Sequence, residues 1–148
     1  MFVGNRLRRR HCPYPSGKTG LFQHLYDIDF SSGAVAMALA KNCENIEGGL
    51  VSIAEASVLD LPFSDDFFDS AITFQSHYYH WTEVLKAERK IHRILKPGGQ
   101  FVLAAEIYKI EYRTAAETKT LFEHSGFQNI TLVTHQKCVF VIGRKASA

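Results

Sequence analysis

The densest run of chemistry-bearing side chains is Gln75-Ser76-His77-Tyr78-Tyr79-His80-Trp81. Either imidazole, His77 or His80, is of a type that takes a proton from a hydroxyl or amine near neutral pH. The rings of Tyr78, Tyr79 and Trp81 offer apolar faces with polar tips to a small organic substrate. His-x-x-His can also seed a metal site, but no third ligand stands at a diagnostic spacing, so no metal is expected. The run therefore reads as a substrate-facing loop, with packing onto the following helix an equally good account of Trp81.

Other candidates reduce to structure or solvent. Asp65, Asp66 and Asp69 lie in a turn-rich stretch, where short acidic side chains bond nearby backbone amides, and they are not read as a general acid–base pair. Pro-Ser-Gly-Lys-Thr-Gly (residues 15–20) invites comparison with a phosphate-binding loop. That pattern needs glycine where Cys12 stands, the preceding strand is absent, and Pro13 and Pro15 remove amide donors. The arginines at positions 6, 8, 9 and 10 lack the interleaved aromatics of a nucleic-acid surface, and no nucleic-acid partner is expected. His24, His92, His124 and His135 are scattered, and they read as structural or exposed. Tyr108, Tyr112 and Glu106 follow a core strand and are placed to line a substrate cavity.

The 148 residues suit one domain with a real core, and 46% hydrophobic against 22% charged residues is ordinary for a globular protein. A net charge of +2 does not argue for a polyanionic partner. No apolar run is long enough to span a membrane, and the basic start lacks the apolar stretch of a secretory signal. Cys12, Cys43 and Cys138 are odd in number and widely spaced, the usage of reduced thiols in a cytoplasmic protein.

These side chains need elements to position them. Residues 1–24 form an irregular basic segment without helical or strand periodicity. Residues 25–148 are regular. LYDIDF reads as a strand ending in acid, followed by Ser31 or Ser32 as N-cap of a helix to about Asn42, with Val35, Ala38 and Leu39 on one face. Strands are expected over Leu50 to Ala56 and Phe68 to Phe74. A helix capped by Thr82 follows, with Val84, Ala87, Ile91 and Ile94 at helical spacing, and Lys96-Pro97-Gly98-Gly99 ends it. Phe101 to Glu106 is apolar on both faces, as a covered parallel strand must be. Thr114 and Glu117 open another helix in a capping box, and Gly126 stops it. Ile130 to Val133 and Cys138 to Ile142 close the chain as a hairpin. The alternation predicts an α/β domain: an open, mostly parallel, Rossmann-like sheet with helices on both faces and a C-terminal antiparallel hairpin. Ligands of such sheets bind beyond the carboxyl ends of the strands, here after Ile28, Glu55, Thr73 and Ala105.

Those ends hold a recognisable combination. ASVLDLPFSDDFFD (Ala56 to Asp69), the strand AITF, and RILKPGG (Arg93 to Gly99) together resemble the class I S-adenosylmethionine-dependent methyltransferases, most of all the small-molecule subgroup. The resemblance runs from Tyr26 to about Lys145. It implies S-adenosylmethionine as cofactor and a small-molecule acceptor. It implies that Asp29 binds the ribose hydroxyls with Phe30 flanking the adenosine. It implies that Ser57 and Val58 hold the adenine, and that Phe74 and Gln75 line the methionine end. A cap for the following helix is the alternative role of Asp29, and core packing that of Phe74. Asp27 and Ser57 depart from the residues usual at their positions, a small one and aspartate. In the family, Lys96 to Gly99 is a structural turn.

One part has no match. The family begins with a central strand and a glycine-rich loop, D-x-G-x-G-x-G, and Met1 to Gly4 is short for a strand. That leaves a gap in the expected sheet beside Asp29. The N-terminal segment can fill it irregularly, or a second copy of the chain can, which makes a homo-oligomer a further partner. A truncated or degenerate, non-catalytic interaction module is the alternative function.

Overall fold

The computed structural model describes residues 2–3, 24–74, 83–106 and 115–147. Eleven elements follow one another: β1 (Phe2–Val3), β2 (Leu25–Asp29), α1 (Ser32–Lys41), α2 (Cys43–Glu47), β3 (Val51–Glu55), β4 (Phe68–Phe74), α3 (Val84–Ile94), β5 (Leu95–Glu106), α4 (Ala115–His124), β6 (Gln128–His135) and β7 (Cys138–Arg144). The strands make one seven-stranded sheet in the order β3-β2-β1-β4-β5-β7-β6.

Strand direction follows from the pairings. β2 and β3 pair parallel, as do β4 and β5, while β1 is antiparallel to both β2 and β4. β7 is antiparallel to β5 and β6 to β7. Thus β2, β3, β4, β5 and β6 run one way, and β1 and β7 run against them: the mostly parallel sheet with its C-terminal hairpin. The β2-α1-β3 connection steps toward one edge and β4-α3-β5 toward the other. Because such crossovers are right-handed, α1 and α3 cover opposite faces.

The open slot beside Asp29 is filled from within the chain. Phe2 pairs with Asp27 and Ile72, and Val3 with Tyr26 and Ala71. Two residues carry no readable periodicity, which is why this strand was not legible in the sequence.

Local sequence explains the rest. Ser31 caps α1, its Oγ accepting from the Ala34 amide at 3.3 Å. Of the three residues expected on the inner face of α1, Val35 is buried and Leu39 is exposed. Val84, Ala87, Ile91 and Ile94 are all buried along α3, as their spacing requires. Ala87, Ile91 and Ile94 join Ile28, Ala71, Phe101, Leu103, Phe122, Phe127, Val139 and Val141 in the main core. Phe101 stacks on Phe122 at 5.1 Å. Gly126, with φ +96°, follows α4 in a left-handed conformation, as expected of a stop. Thr82 and Thr114 lie outside the described residues.

The motif that carried the resemblance is a clamp. The Arg93 guanidinium donates to the Phe63 carbonyl at 2.7 Å, the Leu61 carbonyl at 3.1 Å and Asp65 Oδ1 at 2.7 Å. Lys96 pairs with Asp69 at 2.9 Å and Lys145 with Asp66 at 2.7 Å. The amides of Asp66 and Phe67 donate to the carbonyls of Arg93 and Ile94. Each of the three acids thus meets a cation, Arg93 at the end of α3, Lys96 in β5 or Lys145 after β7. Lys96 to Gly99 differs from the expected helix stop. The helix already ends at Ile94, and the four residues bulge out of β5 between the pairs Phe68–Leu95 and Ser70–Gln100. Gly98 has φ +78°, and a Cβ on Gly99 would stand 2.8 Å from the Lys96 carbonyl, so glycine is required at both.

Candidate functional site

The crossovers diverge at the β2/β4 boundary, so the sheet's switch point lies there and its crevice opens at the carboxyl ends of β2, β3 and β4. Asp29 ends β2, half-buried, and its Oδ1 accepts from the Ser31 amide at 2.9 Å. The carboxylate therefore shapes the entry to α1, as the capping alternative holds. A carboxylate offers about four acceptor sites, of which this bond uses one. Phe30 follows, 64% exposed as a residue, a large apolar side chain beside the acid.

The turn after β3 is tied to this acid. The Ala56 amide donates to the Asp29 carbonyl at 3.1 Å, which sets Ser57 and Val58 alongside it. Ser57 is exposed, and its Oγ accepts from the Leu59 amide at 3.2 Å, holding the turn in shape. Val58 is buried in the core, so its side chain anchors the turn. Glu55, to which the sequence assigned no role, sits beside Asp29 in the parallel register. The acid closing the strand pattern LVSIAEA is the signal that could have found it.

Phe74 ends β4, half-buried and opposite Ala104 of β5. Before it, Thr73 is fully buried, and its Oγ1 has no hydrogen-bond partner among the described residues. Gln75, His77, Tyr78, Tyr79, His80 and Trp81 lie outside the described residues, as do Tyr108 and Tyr112. Among the described residues there is no cluster of three or more His, Cys, Asp or Glu that could hold a metal. No described helix is long and apolar enough to cross a membrane.

The geometry separates two halves of the crevice. Asp29, Phe30, Ser57 and Val58 converge on one side, with the donor and acceptor types an adenosine needs: an acid for vicinal hydroxyls, a ring face, and backbone amides. On the other side the central strand runs against its neighbours. From Phe2 to Val3 this strand runs toward the Leu25 end of β2, opposite in direction to the strand after which the family's glycine-rich loop emerges.

The sequence model of a methyltransferase domain matches residues 11–103, more than half of the chain. The chain belongs to the class I S-adenosylmethionine-dependent methyltransferase family. S-adenosylmethionine is the cofactor of that family. Among curated relatives, the (+)-O-methylkolavelool synthase of Herpetosiphon aurantiacus is 29% identical, over 77% of this chain and 47% of that one. The 2-phytyl-1,4-naphtoquinone methyltransferase of Nostoc punctiforme is 32% identical, over 64% of this chain and 37% of that one. Among solved structures, an S-adenosylmethionine-dependent methyltransferase from Aquifex aeolicus superposes with a TM-score of 0.71. It covers 82% of this chain and 68% of its own at 20% identity, a likeness of fold. The chain thus spans less than half the length of these two curated relatives.

Proposed function

We propose that this domain binds S-adenosylmethionine at the carboxyl ends of β2 and β3 and supports methyl transfer to a small-molecule acceptor. One observation carries the reading: the Ala56–Asp29 backbone bond brings the acid of β2 and the turn of β3 together on one side of the crevice. Asp29 takes the ribose hydroxyls and Phe30 covers the sugar. The Ser57 hydroxyl and the Val58 amide meet the adenine edge. Phe74 and Gln75 border the methyl-bearing end.

The bound cofactor supplies a methyl group already activated on sulfur. The protein's share is to hold the acceptor in line with it and to exclude water, a proximity effect. Tyr78, Tyr79 and Trp81 hold the acceptor by its apolar faces, and His77 or His80 takes the proton that an acceptor hydroxyl or amine releases. The Nostoc relative, named for a naphthoquinone, makes a quinone-type ring the first acceptor class to test.

Titration calorimetry with S-adenosylmethionine tests the binding half of this reading. Saturable heat at one site per chain is expected, and absence of heat at millimolar ligand with folded protein overturns it. Transfer of labelled methyl from the cofactor to reduced naphthoquinones tests the acceptor class, and its failure with cofactor binding intact removes that class alone.

A further inference from the structure

The outer edge of β6 carries few of the usual guards against pairing with another strand. β6 ends the strand order, and Thr131 to His135 are all exposed, with Leu132 at 45% and Val133 at 44%. Natural sheet edges are usually blunted by lysine, proline or inward-pointing charge. From Gln128 to His135 there is no Asp, Glu, Lys, Arg or Pro. Among the described residues the edge is interrupted by a bulge near Asn129, at φ +50°, between the pairs Gln128–Arg144 and Thr131–Ile142, and the register is regular from Thr131 to His135.

The register shows which backbone groups point outward. His135 faces Cys138 across the two-residue turn Gln136–Lys137, and such a turn is closed by a hydrogen-bonded pair. Bonded pairs alternate along an antiparallel ladder. Thr131, Val133 and His135 therefore direct their amides and carbonyls at β7, and Leu132 and Thr134 direct theirs to the open edge. A twofold axis through Leu132 lets it exchange both bonds with its own copy. Thr131 then stands opposite the second copy's Val133, and Thr134 opposite its Ile130, so each exposed apolar side chain meets an apolar or threonine neighbour. With no formal charge along the strand, two copies do not repel. The other edge, β3, carries the acid Glu55, a charge of the kind that blunts a sheet edge.

We propose that two copies of this chain associate through β6, antiparallel and centred on Leu132, joining their sheets. The gap beside Asp29 plays no part in this, since β1 occupies it, and the association does not depend on cofactor binding.

Sedimentation at roughly 200 µM tests it, a high concentration because one strand pair buries less than the about 1,200 Å² of a standard stable interface. The wild-type chain should sediment as a reversible dimer. Leu132→Lys places a charge on each side of the axis, and Thr134→Pro removes an outward amide at no cost to the β7 ladder. Each should raise the dimer dissociation constant at least about tenfold with the circular dichroism unchanged. A second measurement is independent of those folds. With Cys12, Cys43 and Cys138 replaced by Ser, Leu132→Cys should form an intermolecular disulfide, its Cα about 5.5 Å from its mate. Thr134→Cys, offset by four residues or roughly 13 Å, should not. A wild-type monomer at this concentration, a dimer unmoved by both variants, or equal cross-linking at the two positions overturns the proposal.

Discussion

Replacing Asp29 by Asn keeps an oxygen for the Ser31 amide while removing the negative charge offered to a ribose. The helix entry should survive, and affinity for S-adenosylmethionine should fall by about 10- to 100-fold, the worth of a charge-assisted hydrogen bond. Calorimetry on the folded variant measures this; unchanged affinity would return Asp29 to its capping role alone. Thr73 invites the opposite change. A buried hydroxyl without a partner costs free energy, and valine has nearly its shape. Thr73→Val should raise stability by roughly 1 kcal/mol in denaturant unfolding. At this scale the strand-end rule gave the neighbourhood of the candidate residues, and resemblance gave the residues themselves. Asp29, Ser57 and Val58 have no period or spacing that marks them as a site, since what joins them is a backbone bond across two strands. The burial of Thr73, set by the strands and helix around it, leaves no trace in its own neighbours along the chain.

At the scale of elements, the clamp and the α3–α4 corner decide stability. Arg93 serves two backbone carbonyls besides Asp65, and the pair's acid is itself 70% exposed. Arg93→Ala should therefore cost about 2–3 kcal/mol through the unsatisfied carbonyls, and Asp65→Ala less than about 1 kcal/mol. Equal losses in denaturant titrations would contradict this division. His92 packs edge-on against Phe127, with Gly126 against its ring. Burial holds its pKa below the usual 6.5, and the nearby Lys145 lowers it further, against weaker raising effects of Gly126 and Asp66. The unfolded chain therefore binds this proton more readily than the folded one. Stability should be fully present above pH 6.5 and decline as pH falls from there through the lower folded value. His92→Gln should flatten that part of the pH–stability curve, and an unaltered slope would show that other groups set it. The helical spacing of α3 was plain in the sequence. The five-residue α2 was not, because one turn and a half carries no period.

For the whole molecule, alternation of helix and strand sufficed for an open α/β sheet, since parallel neighbours need a crossover and crossovers here are helices. What alternation could not show was the direction of the central strand. Phe2–Val3 is too short to carry a pattern, and its antiparallel seating between β2 and β4 comes from their backbone groups, not from its own sequence. That seating separates the side of the crevice proposed for adenosine, with Asp29, Phe30, Ser57 and Val58, from the side where the family's glycine-rich loop would emerge. The central claim is that the adenosine side suffices for this chain to bind the family's cofactor. It is tested most directly by titrating S-adenosylmethionine into wild type and Asp29→Asn side by side. The account predicts saturable one-site heat for the wild type and about 10- to 100-fold weaker binding for the variant. Folded wild-type protein giving no heat at millimolar cofactor would contradict it.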